Sequence, residues 1–230
     1  MIHLQDIQKS YGKNSVLRGL DLQVRKGGAV GLVGKNGSGK STLLSIMAGA
    51  LKSDGGTIHY AGNLMEKRSD LSAVAAFVPQ ENPLIEELSV KDNLKLWYAG
   101  APVSLSRARK EGLPHEMGLH EVLKHKVRNL SGGMKKRLSI ACALVNNAPI
   151  LLLDEPGASL DLVMKQDILS YLQSYLQRGG TIVISSHDRD ELAICDELYH
   201  VAEGRLAPLS KDLDLNELTQ ILNTTPHKGA

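Results

Sequence analysis

Aromatic residues and cysteines are scarce in this chain of 230 residues. Aromatic side chains make up 3% of the sequence, with one Trp and one Phe, and there are two cysteines. Cys142 and Cys195 each lie in an apolar, helix-like segment without a Cys or His partner at metal-ligand spacing. We therefore interpret both as small buried hydrophobic residues in a reducing compartment, rather than as a disulfide or a metal site.

An excess of charge and a long apolar run are also missing. Lys and Arg total 27 against 25 Asp and Glu, for a net charge of +2. This balance by itself argues neither for nor against nucleic acid, and we expect no nucleic-acid partner. No apolar run approaches the ~20 residues that span a bilayer, and the opening MIHLQDIQKS is not a signal peptide. A function at a membrane therefore requires a second, membrane-spanning protein.

Strand and helix patterns alternate along most of the chain. Residues 1–33 alternate apolar and polar positions and predict several strands, and a helix is predicted at roughly 40–50. The apolar runs AVAAFV, ILLL and TIVIS predict buried strands, with a helix at 161–178 between the last two. Strands that alternate with helices predict an α/β fold whose largely parallel sheet is covered on both faces.

The segment at roughly 81–148 is predicted to be a mostly helical lobe inserted into this pattern. Ser89 and Asp92 have the spacing of a capping box that opens a helix through Trp97. We predict one domain over 1–230 and a short C-terminal helix and tail at 211–230. The lobe contains three basic runs, which we interpret as solvated helix faces, the alternative being contact with anionic lipid or a partner: RARK at 107–110, KHKVR at 124–128 and KKR at 135–137.

The stretch GKNGSGKS at 34–41 fits a phosphate-binding loop between a buried strand and a helix. Its glycines let backbone N–H groups wrap phosphates, and the helix N-terminus adds positive potential. In this interpretation Lys40 reaches the outer phosphates and the Ser41 hydroxyl ligates Mg²⁺. The alternative is a Gly-rich turn without a ligand.

Two carboxylates follow the strand in ILLLDEP. Asp154, at the carboxyl end of this strand, is placed to hold Mg²⁺ through water, and Glu155 to orient an attacking water or accept its proton. The alternative role for this acidic pair is capping of the next helix.

The stretch LSGGMKKRLSIACALV at 130–145 predicts a helix that begins with Ser131, Gly132 and Gly133. Free N–H groups and the helix dipole at such a start both favour phosphate, so we interpret it as a second anion site. One chain would then carry two phosphate-binding segments about ninety residues apart.

The ordered set of motifs resembles the ATP-binding cassette (ABC) family over nearly the whole chain: phosphate loop, Gln80, LSGGM, LLLDEP, SLD at 159–161 and His187. The resemblance implies a P-loop NTPase core of largely parallel sheet with N-terminal antiparallel strands and a helical lobe. It also implies ATP and Mg²⁺ as cofactors and a second ABC ATPase subunit, identical or different, paired head to tail. Each site would then combine one chain's phosphate loop with the other chain's LSGG.

The resemblance assigns roles to individual residues. Tyr11 matches an aromatic that stacks on adenine, Gln80 a metal-site residue linked to the helical lobe, and His187 a histidine that contacts the γ-phosphate. Asp161 matches an aspartate that touches the partner's site. The catalytic set is Lys40, Gln80, Glu155 and His187, and the metal set is Ser41, Gln80 and Asp154. The nucleotide-binding set is Tyr11, Val16, Gly34, Asn36, Gly37, Ser38, Gly39, Lys40, Ser41, Thr42, Ser131, Gly132, Gly133 and Asp161.

Taken singly, four of these residues have ordinary alternatives. Tyr11 could be a strand or turn aromatic, Gln80 a polar loop residue, His187 a structural histidine and Asp161 a helix start. Two positions depart from the family pattern, because Met134 stands where Gln is commonest and Gly157 where Thr or Ser often follows the proline.

The motifs favour a cytosolic ATPase subunit that works with transmembrane permease subunits at the cytoplasmic face of the cell membrane. The short chain, LSVKDNLKLW and LSGGMKKRLSIA look most like small bacterial exporters. The alternatives are an importer subunit and a soluble ABC ATPase that is not coupled to transport. Leu84, Ile85 and Leu88 serve either core packing or contact with the membrane subunit.

Overall fold

The computed structural model describes residues 1–81, 83–99, 101, 104–158 and 160–211. The C-terminal helix and tail predicted at 211–230 lie outside these residues, apart from Lys211. Ten strands occur in the described part of the chain: β1 Ile2–Tyr11, β2 Asn14–Val24, β3 Ala29–Val33, β4 Gly55–Tyr60, β5 Asn63–Leu64, β6 Ala75–Val78, β7 Ile150–Asp154, β8 Thr181–Ser185, β9 Glu197–Ala202 and β10 Arg205–Leu209.

Helices connect most of these strands. The α-helices of the described residues are α1 Lys40–Met47, α2 Arg68–Val74, α3 Val90–Trp97, α4 Leu105–Glu111, α5 Leu113–Glu116, α6 Gly132–Ala143, α7 Leu162–Gln177 and α8 Arg189–Ala193, with a 3₁₀ turn at Val127–Asn129. The cap predicted at Ser89 is confirmed, because its side chain accepts the backbone N–H of Asp92. The side chains of Ser131, Asp161 and Asp188 also each accept a backbone N–H at the start of their helix.

The strands form two sheets. The antiparallel sheet has the order β2-β1-β4-β5, and the central sheet has the order β10-β9-β3-β8-β7-β6. In the central sheet β6, β7, β8, β3 and β9 run parallel, and β10 pairs antiparallel with β9. The predicted α/β class, with a largely parallel sheet and N-terminal antiparallel strands, is confirmed.

The central sheet is buried on both faces. Along β7, Leu151 and Leu153 pack into one apolar cluster with α6 and α7, whereas Ile150 and Leu152 face the other cluster. That second cluster contains α1 and the inner face of the antiparallel sheet. Continuous apolar runs such as ILLL are therefore required by the layering, because every position in these strands meets a packed neighbour.

The helix predicted at 40–50 ends earlier, at Met47. Gly49 adopts a φ of 69°, and a Cβ at this position would lie 2.2 Å from the carbonyl oxygen of Arg68. The close approach of these two backbone segments stops the helix and explains the glycine.

The segment between β6 and β7 contains α3, α4, α5, the 3₁₀ turn and α6. Its buried residues Val90, Leu94, Val127 and Leu138 share one apolar cluster with Leu151 of the central sheet. The position and helical character of this segment agree with the sequence, while its extent as a separate lobe over 81–148 stays a prediction. Among the described residues, none of the helices has the length and apolar character needed to cross a bilayer.

Candidate active site

The glycine-rich stretch 34–41 forms a loop between β3 and α1, as the motif predicts. Gly37 and Gly39 have φ of 80° and 108°, a region that side chains other than glycine rarely adopt. At Gly34 a Cβ would lie 2.4 Å from the carbonyl oxygen of Val201. The loop therefore needs glycine for two reasons. Gly37 and Gly39 adopt positive φ angles, and Gly34 packs directly against the Val201 carbonyl of β9.

Lys40 extends over this loop from the first turn of α1. Its side chain is 6% exposed, and Nζ donates to the carbonyl oxygens of Gly34 at 2.6 Å and Lys35 at 3.0 Å. Burial lowers the pKa of Lys40, and the carboxylates of Glu155 and Asp154 act in the opposite direction. The ammonium group is thus held at the loop opening, close to the two acidic residues after β7.

The loop has the properties of a phosphate cradle. The Ser38 hydroxyl is buried and has no hydrogen-bond partner among the described residues, although buried hydroxyls are normally satisfied. Asn36, Gly37 and Ser41 are exposed around it, and Thr42 is half-buried in the first turn of α1. An oxyanion at the start of α1 would satisfy the serine hydroxyl and match the helix dipole.

The acidic residues lie at the carboxyl edge of the central sheet. Asp154 is 4% exposed and accepts a hydrogen bond from the Ser185 hydroxyl of β8. Glu155 follows with a φ of 45°, and its N–H donates to the Ser185 carbonyl at 2.9 Å. This turn directs the Glu155 side chain away from the strand, in a backbone region that is uncommon for residues other than glycine.

Gln80 and His187 both meet the Glu155 carboxylate. Gln80 Nε2 donates to Oε2 at 3.2 Å, and His187 Nδ1 lies 4.0 Å from Oε1. The His187 side chain is 59% exposed, whereas that of Glu155 is 13% exposed. A carboxylate with an amide on one oxygen and an imidazole near the other is placed to bind and deprotonate a water molecule.

The hairpin between β1 and β2 borders the phosphate loop. Val16 lies beside Gly39, where a Cβ at Gly39 would come within 3.3 Å of Val16 Cγ1. Tyr11 ends β1 with 51% of its surface exposed, and Lys9 Nζ lies 5.8 Å from the centre of its ring. An exposed ring on this hairpin is available for stacking with a planar ligand.

The start of α6 packs against the segment that carries Asp161. The atoms nearest to Cβ positions built at Gly132 and Gly133 come from Leu160 and Met164, on either side of Asp161 in the sequence. On the basis of these contacts we divide the predicted residues into two groups. The first, which we call the phosphate-loop half, contains Tyr11, Val16, residues 34–42, Gln80, Asp154, Glu155 and His187. The second, the signature half, contains Ser131, Gly132, Gly133 and Asp161.

Gly133 has a role inside the chain that sequence reasoning missed. A Cβ here would lie 2.5 Å from Met164 Sδ and 2.6 Å from Met164 Cγ, so the glycine allows α6 to pack directly on α7. Its N–H donates to Met164 Sδ at 3.2 Å. The Ser131 hydroxyl accepts the next N–H, from Met134, at 3.2 Å. An anion at this helix start would therefore need the Met164 side chain to move aside.

Lys136 is a second residue whose position differs from the expectation. The run 135–137 was expected to form a solvated face, which is wrong for Lys136, because it is 3% exposed. Its Nζ donates to the carbonyl oxygens of Pro79 at 3.2 Å and Gln80 at 3.4 Å. The sequence could have indicated this burial, because Lys136 lies three residues after Gly133 and four before Ile140, on the same buried face of α6. Lys136 thus connects α6 to the segment that carries Gln80.

Comparisons with known proteins identify the family to which this chain belongs. Residues 17–158 match the family described as ABC transporter. The lantibiotic transport ATP-binding protein SrtF of Streptococcus pyogenes is 35% identical, with 97% of this chain and 96% of that protein covered. The lipoprotein-releasing system ATP-binding protein LolD of Bacteroides fragilis is 36% identical, with 90% and 100% covered.

A solved structure of a dimeric ATP-binding cassette in a post-hydrolysis state, bound to ADP and Pi, superposes with a TM-score of 0.81. It is 27% identical, with 93% of this chain and all of that chain covered. The chain is therefore a member of the ATP-binding cassette family, an ATPase that forms the ATP-binding subunit of an ABC transporter.

The contact between Gly133 and Met164 can be tested by stability measurements. Ala is the better helix former by about 1 kcal/mol, yet Gly133→Ala should destabilise the protein by about 1–3 kcal/mol because the methyl group overpacks against Met164. In a Met164→Ala background this cost should fall by about 1 kcal/mol or more. Urea denaturation of the four chains of the cycle measures the coupling.

The matched control is Gly132→Ala, whose Cβ would meet only the tip of Leu160, at 3.1 Å. It should cost less than Gly133→Ala and show no coupling to Met164. Equal costs at the two glycines, or an uncoupled cycle, would contradict the packing role of Gly133.

Proposed function

We propose that this protein hydrolyses Mg-ATP in a composite site formed by two copies of the chain, and that this cycle drives export through separate transmembrane permease subunits. The observation that supports the proposal is the division of the site residues into the phosphate-loop half and the signature half. Each half is incomplete alone, and a head-to-tail pair completes both sites at once.

In the phosphate-loop half, each group of residues has its own role in binding or hydrolysing ATP. The loop N–H groups and Lys40 bind the phosphates, with Lys40 Nζ exchanging the carbonyls of Gly34 and Lys35 for phosphate oxygens. Glu155 would position the attacking water and accept its proton, and the neighbouring His187 would contact the γ-phosphate. The ring of Tyr11 stacks on the adenine, with Val16 beside it.

The metal-binding residues fit Mg²⁺ by the chemistry of their donors. Ser41 offers a hydroxyl, Asp154 a buried carboxylate fixed by Ser185, and Gln80 an amide oxygen, and Mg²⁺ prefers such hard oxygen ligands. Since Gln80 uses its amide nitrogen to donate to Glu155, its oxygen stays available for the metal. The bound ion would neutralise charge on the phosphates.

The signature half acts on the nucleotide of the partner. Ser131 and the first N–H groups of α6 face the phosphates held by the other chain, and Asp161 lies beside them at the start of α7. The dimeric state of the cassette structure that this chain resembles supports such a pair. We propose a homodimer, because one chain supplies both halves.

The surface around Ile85 is the proposed contact with the permease. Ile85 is 46% exposed, whereas Leu84 packs against the core, which separates the two roles left open by the sequence. Asn93, 1% exposed, holds this turn by accepting the Ile85 N–H at 2.9 Å and donating to the Ile85 carbonyl at 3.0 Å.

The turn that contains Ile85 is also connected to α6. Glu86 accepts from Lys135 Nζ at 2.6 Å, and the Glu86 carbonyl accepts from the Arg128 N–H at 3.1 Å. A displacement at Ile85 would therefore reach α6 directly, which is what coupling between permease and ATPase requires. The names of the relatives, a lantibiotic transport protein and a lipoprotein-releasing system protein, support the proposal of export, in which the subunit would act at the cytoplasmic face of the membrane.

Substitutions of Lys40 and of Glu155 should impair different steps of ATP turnover. Lys40→Ala should weaken ATP binding and hydrolysis together, because the ammonium holds the phosphates. Glu155→Gln should keep ATP bound while hydrolysis falls ~10²–10⁴-fold, as expected for a lost general base. Equilibrium ATP binding, steady-state hydrolysis and light scattering in ATP separate the two. A Glu155→Gln protein that hydrolyses ATP normally would contradict the assigned mechanism.

A mixture of two inactive chains tests the composite site. Ser131→Arg damages only the signature half and Lys40→Ala only the phosphate-loop half, so a mixed pair contains one intact site. At equal concentrations about half the pairs are mixed, and hydrolysis should recover to about a quarter of the parental rate. The controls are the two variants measured alone. A mixture no more active than their sum would contradict head-to-tail pairing.

Ile85→Glu should prevent recruitment of the subunit to membranes that contain its permease, while ATP binding stays unchanged. A carboxylate at the centre of an apolar contact loses hydration without a partner. The matched control is Leu64→Glu, since Leu64 is equally exposed, at 45%, and lies on the distant strand β5. Cosedimentation with membranes measures the effect. Equal recruitment of both variants would contradict the proposed surface.

A further inference from the structure

A buried carboxylate lies outside the residues assigned so far. Glu191 is the third residue of α8 and is only 3% exposed. Glutamate is rarely buried to this degree unless it is paired or hydrogen-bonded. Its surroundings therefore indicate what the carboxylate holds in place.

One set of contacts fixes the turn that carries His187. The Ser186 hydroxyl, itself buried, donates to Glu191 Oε2. The same hydroxyl accepts the N–H of Asp188 at 2.9 Å. The residues immediately before and after His187 are thus held by one short chain of hydrogen bonds that ends on Glu191.

A second contact reaches the segment after Glu155. The Glu191 carboxylate lies directly against the Gly157 backbone. A Cβ at Gly157 would lie 2.2 Å from Glu191 Oε1, so only glycine lets the carboxylate approach this backbone. This close contact gives a physical reason for Gly157, one of the two positions at which the chain departs from the family pattern.

Burial and hydrogen bonding have opposite effects on the pKa of Glu191. Burial raises the pKa of Glu191, and the hydrogen bond from Ser186 acts against that rise. The Lys165 ammonium pairs with Asp188 at 2.6 Å, and the Ser186 hydroxyl is a direct hydrogen-bond donor to the Glu191 carboxylate.

We propose that Glu191 is a positioning residue for ATP hydrolysis, which ties the Glu155 segment to the His187 turn and so fixes the distance between these two side chains. The inference rests on the proposed roles of Glu155 and His187, whose side chains approach to 4.0 Å. A misplacement of about 1 Å between such groups can cost about 100-fold in rate.

The main test compares two substitutions at this position. Glu191→Ala removes both contacts and should lower kcat by about 10- to 100-fold, while the Kd for ATP changes by less than about threefold. Glu191→Gln should stay within about fivefold of the parental kcat, because it keeps the shape that packs against Gly157 and its amide can still form a hydrogen bond with Ser186. Asp190→Asn is the matched control, an exposed carboxylate on the same helix, and should leave kcat unchanged.

A second variant covers the case in which Glu191→Ala does not fold. Gly157→Ala forces a methyl group against the intact carboxylate and should also lower kcat about tenfold. In a Glu191→Asp background, where the shorter side chain leaves room, the added cost of Gly157→Ala should be less than about threefold. A Gly157→Ala protein with the parental kcat would overturn the proposal.

The remaining outcomes separate this inference from the proposed function. In a Glu155→Gln background, Glu191→Ala should not lower the residual rate further, because Glu191 acts through Glu155. A parental kcat in Glu191→Ala, a Gln variant as impaired as the Ala variant, or an equal loss of ATP affinity would overturn the positioning role. If Glu155→Gln itself hydrolyses ATP normally, the failure belongs to the proposed function.

Discussion

Parallel pairing of β8 with β3 on one side and β7 on the other is the constraint on which the site depends. Asp154 pairs with Ser185 in register, and Leu32, two residues before the phosphate loop, also pairs with Ser185. The ladder continues past the strand ends, since the N–H of Ser186 donates to the Leu32 carbonyl at 3.1 Å. Because parallel strands end at one edge, the phosphate loop, the acidic pair and the His187 turn must meet there.

That edge also concentrates the charge that the fold buries. Lys40, Lys136, Asp154 and Glu191 are each between 3% and 6% exposed. Charged groups are expensive to bury unless hydrogen bonds replace water, and each of these has backbone or hydroxyl partners. The partners of Lys136 and Glu191 lie on different loops. The buried charges therefore hold together segments that are far apart in sequence.

The packing of α6 on α7 brings the residues of the signature half together. Gly133 brings the helix start against Met164, and Lys136 connects the same helix to the Gln80 segment. These contacts connect the signature half to the segment that carries Gln80. In the proposed head-to-tail pair, the second half of each site would come from the partner chain.

Motif spacing and apolar runs determined much about this protein. The phosphate loop, the acidic pair after a buried strand, the helix start at Ser131 and the α/β class could all be predicted, because each depends on local backbone requirements or on one strand's burial. Tertiary structure alone decided the rest. The approach of Met164 to Gly133, the hydrogen bonds of Lys136 to the Pro79–Gln80 segment and the contact of Glu191 with Gly157 each join residues about thirty or more positions apart. Such contacts depend on how the helices pack on the sheet and on one another, and no local sequence pattern encodes that geometry.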